Sequence, residues 1–310
     1  MAVKKITVLY GGQSSEREVS LESGKYIYQS IKDLGYETQL IDYPAEFLLD
    51  KFSHEDLVFI ALHGKDGESG ELQNHLKEQG VLYTGSGDEA CKKTWNKDTF
   101  KKILRENNIP TPNWISVPSL LEIKSLEDIL FKNLDLSNNI FLKPAEDGSS
   151  IDVFKISTSK DLEMAISNCV NANRQFIFEE SINCRELTVP ILNGKCLPAV
   201  EIITSEIFYN FNAKYVNEDT KLNNLNLSFD KKKELEQICL KTLKVTKCRG
   251  WLRIDLMQDS DGNFYVLEVN TAPGMTSHSL FPKSAQSIGC LLYTSPSPPY
   301  RTRSRMPSSA

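Results

Sequence analysis

The first part of the chain alternates short apolar runs with stretches of helical periodicity. Lys5 to Tyr10 reads as a buried strand that stops at Gly11-Gly12. Apolar Ile27, Ile31 and Leu34 recur at helical spacing, and Gly35 marks the helix end. Ser15 and Glu18 have the spacing of a capping box at its start. Thr38 to Ile41 and Leu57 to Leu62 read as the next strands, then helix Glu71 to Gln79 and strand Val81 to Tyr83. Such β-α-β alternation predicts a parallel sheet with helices on its faces. In these sheets function collects in the loops at the carboxyl ends of the strands. The segments Gly11–Glu18 and His63–Gly70 occupy those positions.

A long helix is expected from Glu89 to Asn107, with Lys92, Lys93, Lys97, Lys101 and Lys102 on a solvated face. Asn108-Ile109-Pro110-Thr111-Pro112 breaks it and marks a domain boundary. Ile140 to Lys143, Asp152 to Ile156 and Gln175 to Glu180 read as strands, with a helix from Ser159 to Asn171. Between the first two lies Pro144-Ala145-Glu146-Asp147-Gly148-Ser149-Ser150, which can present Lys143 and backbone N–H groups to phosphates. A flexible hairpin tip is the plain alternative. Strands Arg185 to Leu192 and Lys195 to Glu201 flank Asn193-Gly194, a type I′ turn signal. Phe208 to Tyr215 is aromatic and polar without a period, and Asp230 to Lys247 is a charged helix.

The last hairpin carries the densest chemistry. Trp251 to Met257 and Phe264 to Val269 are apolar except at Arg253, Asp255 and Glu268. A two-residue Asp261-Gly262 turn sets Asp255 opposite Glu268 and Arg253 opposite Asn270, all on one face. Two adjacent carboxylates repel unless a cation or proton lies between them. An oxygen-only set suits Mg²⁺ completed by substrate phosphates. The arginine suits a phosphate or a developing oxyanion. A solvated sheet face with an ordinary Arg–carboxylate pair is the alternative.

Composition narrows the classes. At 310 residues the chain is long enough for two or three domains, with 40% hydrophobic and 25% charged residues. A net charge of −5 gives no reason to expect nucleic-acid binding. No apolar run approaches the roughly 18 residues of a membrane span, so no membrane partner is expected. Seven cysteines without a C-x-x-C and four histidines without ligand spacing suggest neither zinc nor a disulfide framework, and fit a reducing cytoplasm. No G-x-G-x-x-G or G-K-[ST] follows Gly11-Gly12, which excludes Rossmann and P-loop readings. Residues 291–310, rich in Ser, Pro and Arg and without an acid, read as a disordered, frame-shifted or vector-derived tail. A native basic tail is the alternative.

Together these pieces resemble the D-alanine–D-alanine ligases of the ATP-grasp superfamily. The match runs through Gly11–Ser20, Ala61–Gly64 with Gly67-Glu68, Tyr83–Gly87, Lys143-Pro144 with Gly148–Ser150, Ala213–Tyr215 and Arg249–Leu280. It spans residues 3 to 289 in the family's order. The resemblance implies an α/β, three-domain ATP-grasp fold. Its expected parts are a parallel-sheet N-terminal domain (1–88), a central lobe (89–180), a C-terminal lobe with the Mg²⁺ site (181–290), and the tail (291–310). It implies a cytoplasmic, homodimeric enzyme that joins two D-alanines with ATP for peptidoglycan precursor synthesis. Asp255, Glu268 and Asn270 are then expected to hold two Mg²⁺ ions, with Mn²⁺ as a substitute. Lys97, Lys143, Glu179, Glu186 and Lys214 are expected at ATP. Glu16, Ser149, Tyr215, Arg253, Gly274 and Ser279 are the expected catalytic set, and His63, Glu68 and Leu280 the further substrate contacts.

The chain departs from the family at several points. Asn210 replaces a common acid, Glu180 a common lysine and Leu252 a common glycine, and the tail stands where a terminal helix is usual. A D-alanine–D-lactate ligase and a non-catalytic nucleotide-binding module are the competing readings. Tyr215 favours the dipeptide product, and the intact acidic set with Arg253 favours catalysis.

Overall fold

The computed structural model describes residues 5–45, 52, 56–123, 139–148, 151–204, 221–276 and 279–289. The chain begins with β1 (Lys5–Gly11), α1 (Arg17–Asp33), β2 (Thr38–Tyr43), β3 (Asp56–Ile60), α2 (Lys65–Glu68), α3 (Glu71–Glu78) and β4 (Leu82–Tyr83). These strands pair in parallel in the order β2-β1-β3-β4. The alternation of strand and helix therefore gave the expected sheet, and the loops after β1 and β3 share its carboxyl edge. Ser20 ties α1 to both strands: its hydroxyl accepts from Gly11 N (2.9 Å) and donates to Ala61 O (2.7 Å).

Two local expectations fail here. Glu16, not Ser15, is the N-cap of α1, and no side chain caps it. The Ser14 hydroxyl instead accepts from Glu16 N (3.3 Å) and donates to His63 O (3.0 Å), so it joins two loops rather than closing a capping box. Leu34 lies past the helix end and is 72% exposed, whereas Gly35 does take a left-handed φ of +88°.

The expected single helix over 89–107 is two helices, α4 (Asp88–Trp95) and α5 (Lys97–Glu106). Asn96 separates them in extended conformation. Its side chain accepts from Thr99 N (3.0 Å) and donates to Glu146 (2.9 Å) and Gln175 (3.0 Å). These partners come from distant sequence, which explains why the break has no local signal.

The second sheet contains β5 (Trp114–Val117), β6 (Ile140–Pro144), β7 (Phe154–Ile156) and β8 (Phe176–Glu180), with α6 (Ser159–Asn168) between β7 and β8. It is antiparallel in the order β5-β8-β6-β7. A Thr158–Asp161 capping box starts α6. The third sheet contains β9 (Arg185–Leu192), β10 (Lys195–Cys196), β11 (Val200–Ile203), β12 (Lys221–Asn224), β13 (Trp251–Gln258) and β14 (Phe264–Asn270), with α7 (Phe229–Thr246) before β13 and α8 (Leu280–Ser287) after β14. Its order is β12-β11-β9-β13-β14, with β10 on β9. Asn193 (φ +48°) and Gly194 (φ +78°) form the expected turn. The strand that follows is broken at Leu197-Pro198-Ala199, since proline has no N–H to donate to a ladder. Phe100 and Leu104 of α5 join Val189, Ile254, Val266 and Leu235 in the core of this third sheet.

The β13–β14 hairpin reaches the expected register by an unexpected route. Gln258 pairs with Phe264, so the connection is five residues long. Asp259 organises it: Oδ1 accepts from Asp261 N (3.0 Å) and Asn263 N (2.8 Å), and Gly262 N donates to Asp259 O (3.1 Å). Gly262 has positive φ (+82°) but Asp261 does not, so the turn is not type I′. The longer loop shifts the pairing by one. A bulge at Leu267 shifts it back, so Asp255 pairs with Glu268 and Arg253 with Asn270.

Candidate active site

The loop after β1 and the loop after β3 place Glu16, His63 and Glu68 around one cavity of about 200 Å³. His63 is buried, and its Nδ1 lies 2.6 Å from Ala272 O. A carbonyl only accepts, so Nδ1 carries the proton there. Burial pushes the imidazole below its ordinary pKa, against the opposing pull of Glu16. The ring is thus neutral and Nε2 is an acceptor. Among the described residues that buried atom has no partner.

Glu68 is also buried. Its oxygens accept from Gly64 N (3.0 Å) and Thr271 N (3.3 Å). Burial, and then the negative charge of Glu16, push this carboxyl up to about 8, so it is mainly protonated at neutral pH. Gly67 of α2 lets this helix approach the backbone just after β3 closely. A Cβ there would lie 2.1 Å from Leu62 O.

The third sheet supplies the opposite wall. Arg253, Glu268, Asn270, Gly274, Ser279 and Leu280 line the same cavity. The Arg253 guanidinium grips Asp255 with two hydrogen bonds of 2.8 Å. Thr188 donates to Asp255 Oδ1 at 2.7 Å. Asp255 is therefore buried behind the arginine and lines neither this cavity nor the larger one beside it. Asn270 Oδ1 accepts from Ala272 N at 3.1 Å. Ser279 is the N-cap of α8, and its hydroxyl accepts from Thr276 N at 3.0 Å.

A second cavity of about 720 Å³ lies between the two antiparallel sheets. Phe141, Ile151, Val153, Met257 and the bulged Leu267 give it apolar walls, and Lys97, Lys143, Glu179 and Glu186 supply charge. Lys97 Nζ donates to Asp147 O at 2.7 Å, and burial pushes its pKa down against the pull of Glu268. Lys143 pairs with Glu179, whose other oxygen pairs with Lys101 at 2.7 Å. Burial alone would raise the Glu179 carboxyl, but the charges of Lys101 and Lys143 outweigh it and bring it to about 2. The two cavities share Lys97, Asp147, Gly148 and Glu268. A ligand that fills the larger one therefore reaches the smaller one at those four residues.

The structure brings fourteen of the expected site residues around these cavities or directly behind them. Ser149, Lys214 and Tyr215 lie outside the described residues, as does the tail. Three contributors were not anticipated. Lys101 is 0% exposed rather than solvated; its spacing of four from Lys97, which puts both on one helix face, was the available signal. Thr188 reaches Asp255 across the sheet. Arg174 bridges Asp147 (2.8 Å) and Asp152 (2.6 Å), and so ties both ends of the Gly148 loop.

The donors suit a hard dication. Glu268 and Asn270 offer a carboxylate and an amide oxygen at the cavity, and Asp255 on the same hairpin face adds a second carboxylate where a dication displaces the Arg253 guanidinium that now holds both its oxygens. Glu268 makes no ion pair among the described residues, and its negative charge bears on Glu68, Lys97 and Lys143 alike. A bound cation would add to the compensation that Lys97 and Lys143 already give this charge.

The chain is similar along most of its length to known D-alanine–D-alanine ligases. The family model described as D-ala D-ala ligase C-terminus matches residues 103–294. A D-alanine–D-alanine ligase of Glaesserella parasuis serovar 5 is 40% identical over 288 residues, covering 92% of this chain and 93% of the relative. The crystal structure of D-alanine–D-alanine ligase from Bacillus anthracis complexed with ATP superposes with a TM-score of 0.79 at 32% identity, covering 92% of each chain. The VanG D-Ala:D-Ser ligase of Enterococcus faecalis gives 0.79 at 25% identity, covering 92% of this chain and 95% of that one.

Proposed function

The chain belongs to the D-alanine–D-alanine ligase family, with its ATP-grasp fold, and from that premise we propose how it joins two D-alanines with cleavage of ATP to ADP and phosphate. The observation that carries this reading is the pair of cavities meeting at Lys97, Asp147, Gly148 and Glu268. The larger has the volume, apolar walls and lysines suited to a nucleotide triphosphate. The smaller has the mixed charges suited to amino-acid substrates.

A carboxylate resists nucleophiles because it is charged and resonance-stabilised. Transfer of the ATP γ-phosphoryl group to the first D-alanine's carboxylate releases ADP and gives an acyl phosphate. The amine of the second D-alanine then attacks that carbonyl, and phosphate leaves from the tetrahedral intermediate to give the dipeptide.

Glu16 takes the first ammonium, and the protonated Glu68 beside it adds no second negative charge at neutral pH. His63 Nε2 offers an acceptor in the same pocket. Lys97 and Lys143 hold phosphate oxygens, and Glu179 and Glu186 face the base and ribose. Arg253 and the Gly274 N–H stabilise the charge of the transferring group and of the oxyanion. Ser279 and Leu280, at the start of α8, receive the second carboxylate. Ser149, Lys214 and Tyr215 complete the set by the family pattern. Asp255, Glu268 and Asn270 would hold Mg²⁺ or Mn²⁺, which supplies charge neutralisation to the phosphates. The product serves peptidoglycan precursor synthesis, and we propose a cytoplasmic location, where ATP is available. No described helix is long and apolar enough to cross a membrane. We further propose the three-lobe division at 88 and 180, and a homodimer.

Phosphate release from ATP with D-alanine and Mg²⁺ at neutral pH tests the assignment. We expect turnover that requires D-alanine, with a dipeptide product. Equal turnover with D-lactate or D-serine as second substrate would sink it.

A further inference from the structure

Lys101 is a fully buried cation outside both cavities' walls, and the mechanism above leaves it without a role. Its side chain is 0% exposed. Its ammonium lies 2.7 Å from Glu179 Oε2, 2.6 Å from Thr111 Oγ1 and 5.4 Å from the centroid of the Trp114 ring. The opposing carboxylate oxygen, Oε1, belongs to Lys143. Glu179 and Lys143 line the larger cavity, whereas Lys101 stands behind them. The Thr111 hydroxyl donates onward to Val266 O at 2.8 Å, on the strand that carries Glu268. One ammonium thus links α5, β8 and β14, elements from both walls of the cleft.

A buried ion pair gives little net stability compared with a well-packed apolar replacement. Stability alone therefore does not explain a lysine at this position. Charge balance does. With two lysines on one carboxylate, the trio carries a surplus positive charge, and Lys143 is the member that faces the cavity. Without Lys101, Glu179 would turn wholly to Lys143. The pair would close on itself, and both groups would be withdrawn from an incoming nucleotide.

We propose that Lys101 is a positioning residue for nucleotide binding: it holds Glu179, and through it leaves the Lys143 ammonium available to the phosphates of ATP. This rests on the ligase reading, in which the larger cavity is the ATP site. Four proteins test it: the native chain, Lys101→Met, Glu179→Gln and the double variant, with ATP and D-alanine varied separately in the phosphate-release assay. Lys101→Met is expected to raise the ATP KM about tenfold, while the D-alanine KM stays within about twofold. Because Lys101 acts through Glu179, adding Lys101→Met to Glu179→Gln should change the ATP KM by less than about twofold. An unchanged ATP KM in Lys101→Met overturns the proposal. So do effects that simply multiply in the double variant, or a parallel rise in both KM values. If Lys101→Met does not fold, the comparison of Glu179→Gln with the charge-balanced double variant decides. If the native chain releases no phosphate, the ligase reading fails, and calorimetric titration of the same proteins with Mg²⁺-ATP still decides the role of Lys101.

Discussion

Replacing Glu68 with glutamine should remove a specific pH dependence of stability. The Glu68 carboxyl is pushed from its ordinary 4.5 to about 8, first by burial and then by the charge of Glu16. Below about pH 4.5 the folded and unfolded chains both hold the proton. Between 4.5 and 8 only the folded chain holds it, so folding stability falls as pH rises. Above 8 both have lost it and the contribution is flat. A shift of this size corresponds to about 5 kcal/mol across the window, or about 1.4 kcal/mol per pH unit. The Gly64 and Thr271 N–H groups that reach the carboxyl favour its ionised form and oppose that rise without overcoming it. Urea unfolding of the native chain and Glu68→Gln at pH 5, 6, 7, 8 and 9 measures the effect. The native-minus-variant stability should fall steadily up to pH 8 and then level off. A difference that is flat with pH, or that grows, shows an ionised Glu68 in the folded protein. The neutral carboxyl beside Glu16 would then be wrong.

Other expectations follow from single contacts. Asp255→Ala and Glu268→Ala should each lower phosphate release more than about a hundredfold at saturating Mg²⁺, and activity in either defeats the shared metal site. Thr188→Val removes the 2.7 Å bond to the buried Asp255 and should cost about 2 kcal/mol in urea unfolding. Gly67→Ala drives a methyl to 2.1 Å from Leu62 O, and should cost about 3 kcal/mol, read as a lower Tm by calorimetry. Glu179, held at about 2, contributes stability above about pH 4.5 that is lost as pH falls toward 2. Acid unfolding of Glu179→Gln should accordingly show a shallower loss below pH 4.

Where a structural feature depends on neighbouring residues, the chain itself announced it. Asn193-Gly194 needed two positive φ values and has them. The alternation from Lys5 to Tyr83 specified a parallel sheet because each strand and helix carries its own apolar period. The face shared by Arg253, Asp255, Glu268 and Asn270 was legible from strand periodicity, although the five-residue loop and the Leu267 bulge that produce the register were not. Asp259, whose carboxylate shapes that loop, competes with the Asp261-Gly262 signal and wins by binding two backbone N–H groups.

Features that depend on distant partners came only with the folded chain. Asn96 ends a helix because Glu146 and Gln175 meet its side chain. The proton on His63 Nδ1 is placed by Ala272, a residue of the loop after β14. Lys101 looks like a solvent-facing lysine in sequence, since burying a lone ammonium is prohibitive. It is buried because Glu179 arrives from β8 to pair with it. The chain by itself determined which residue types, periods and turns were available, and hence the family, the sheets and most of the candidate site. Tertiary structure alone decided which charges lie out of water beside which partners, because those free energies exist only once segments far apart in sequence share one low-dielectric space.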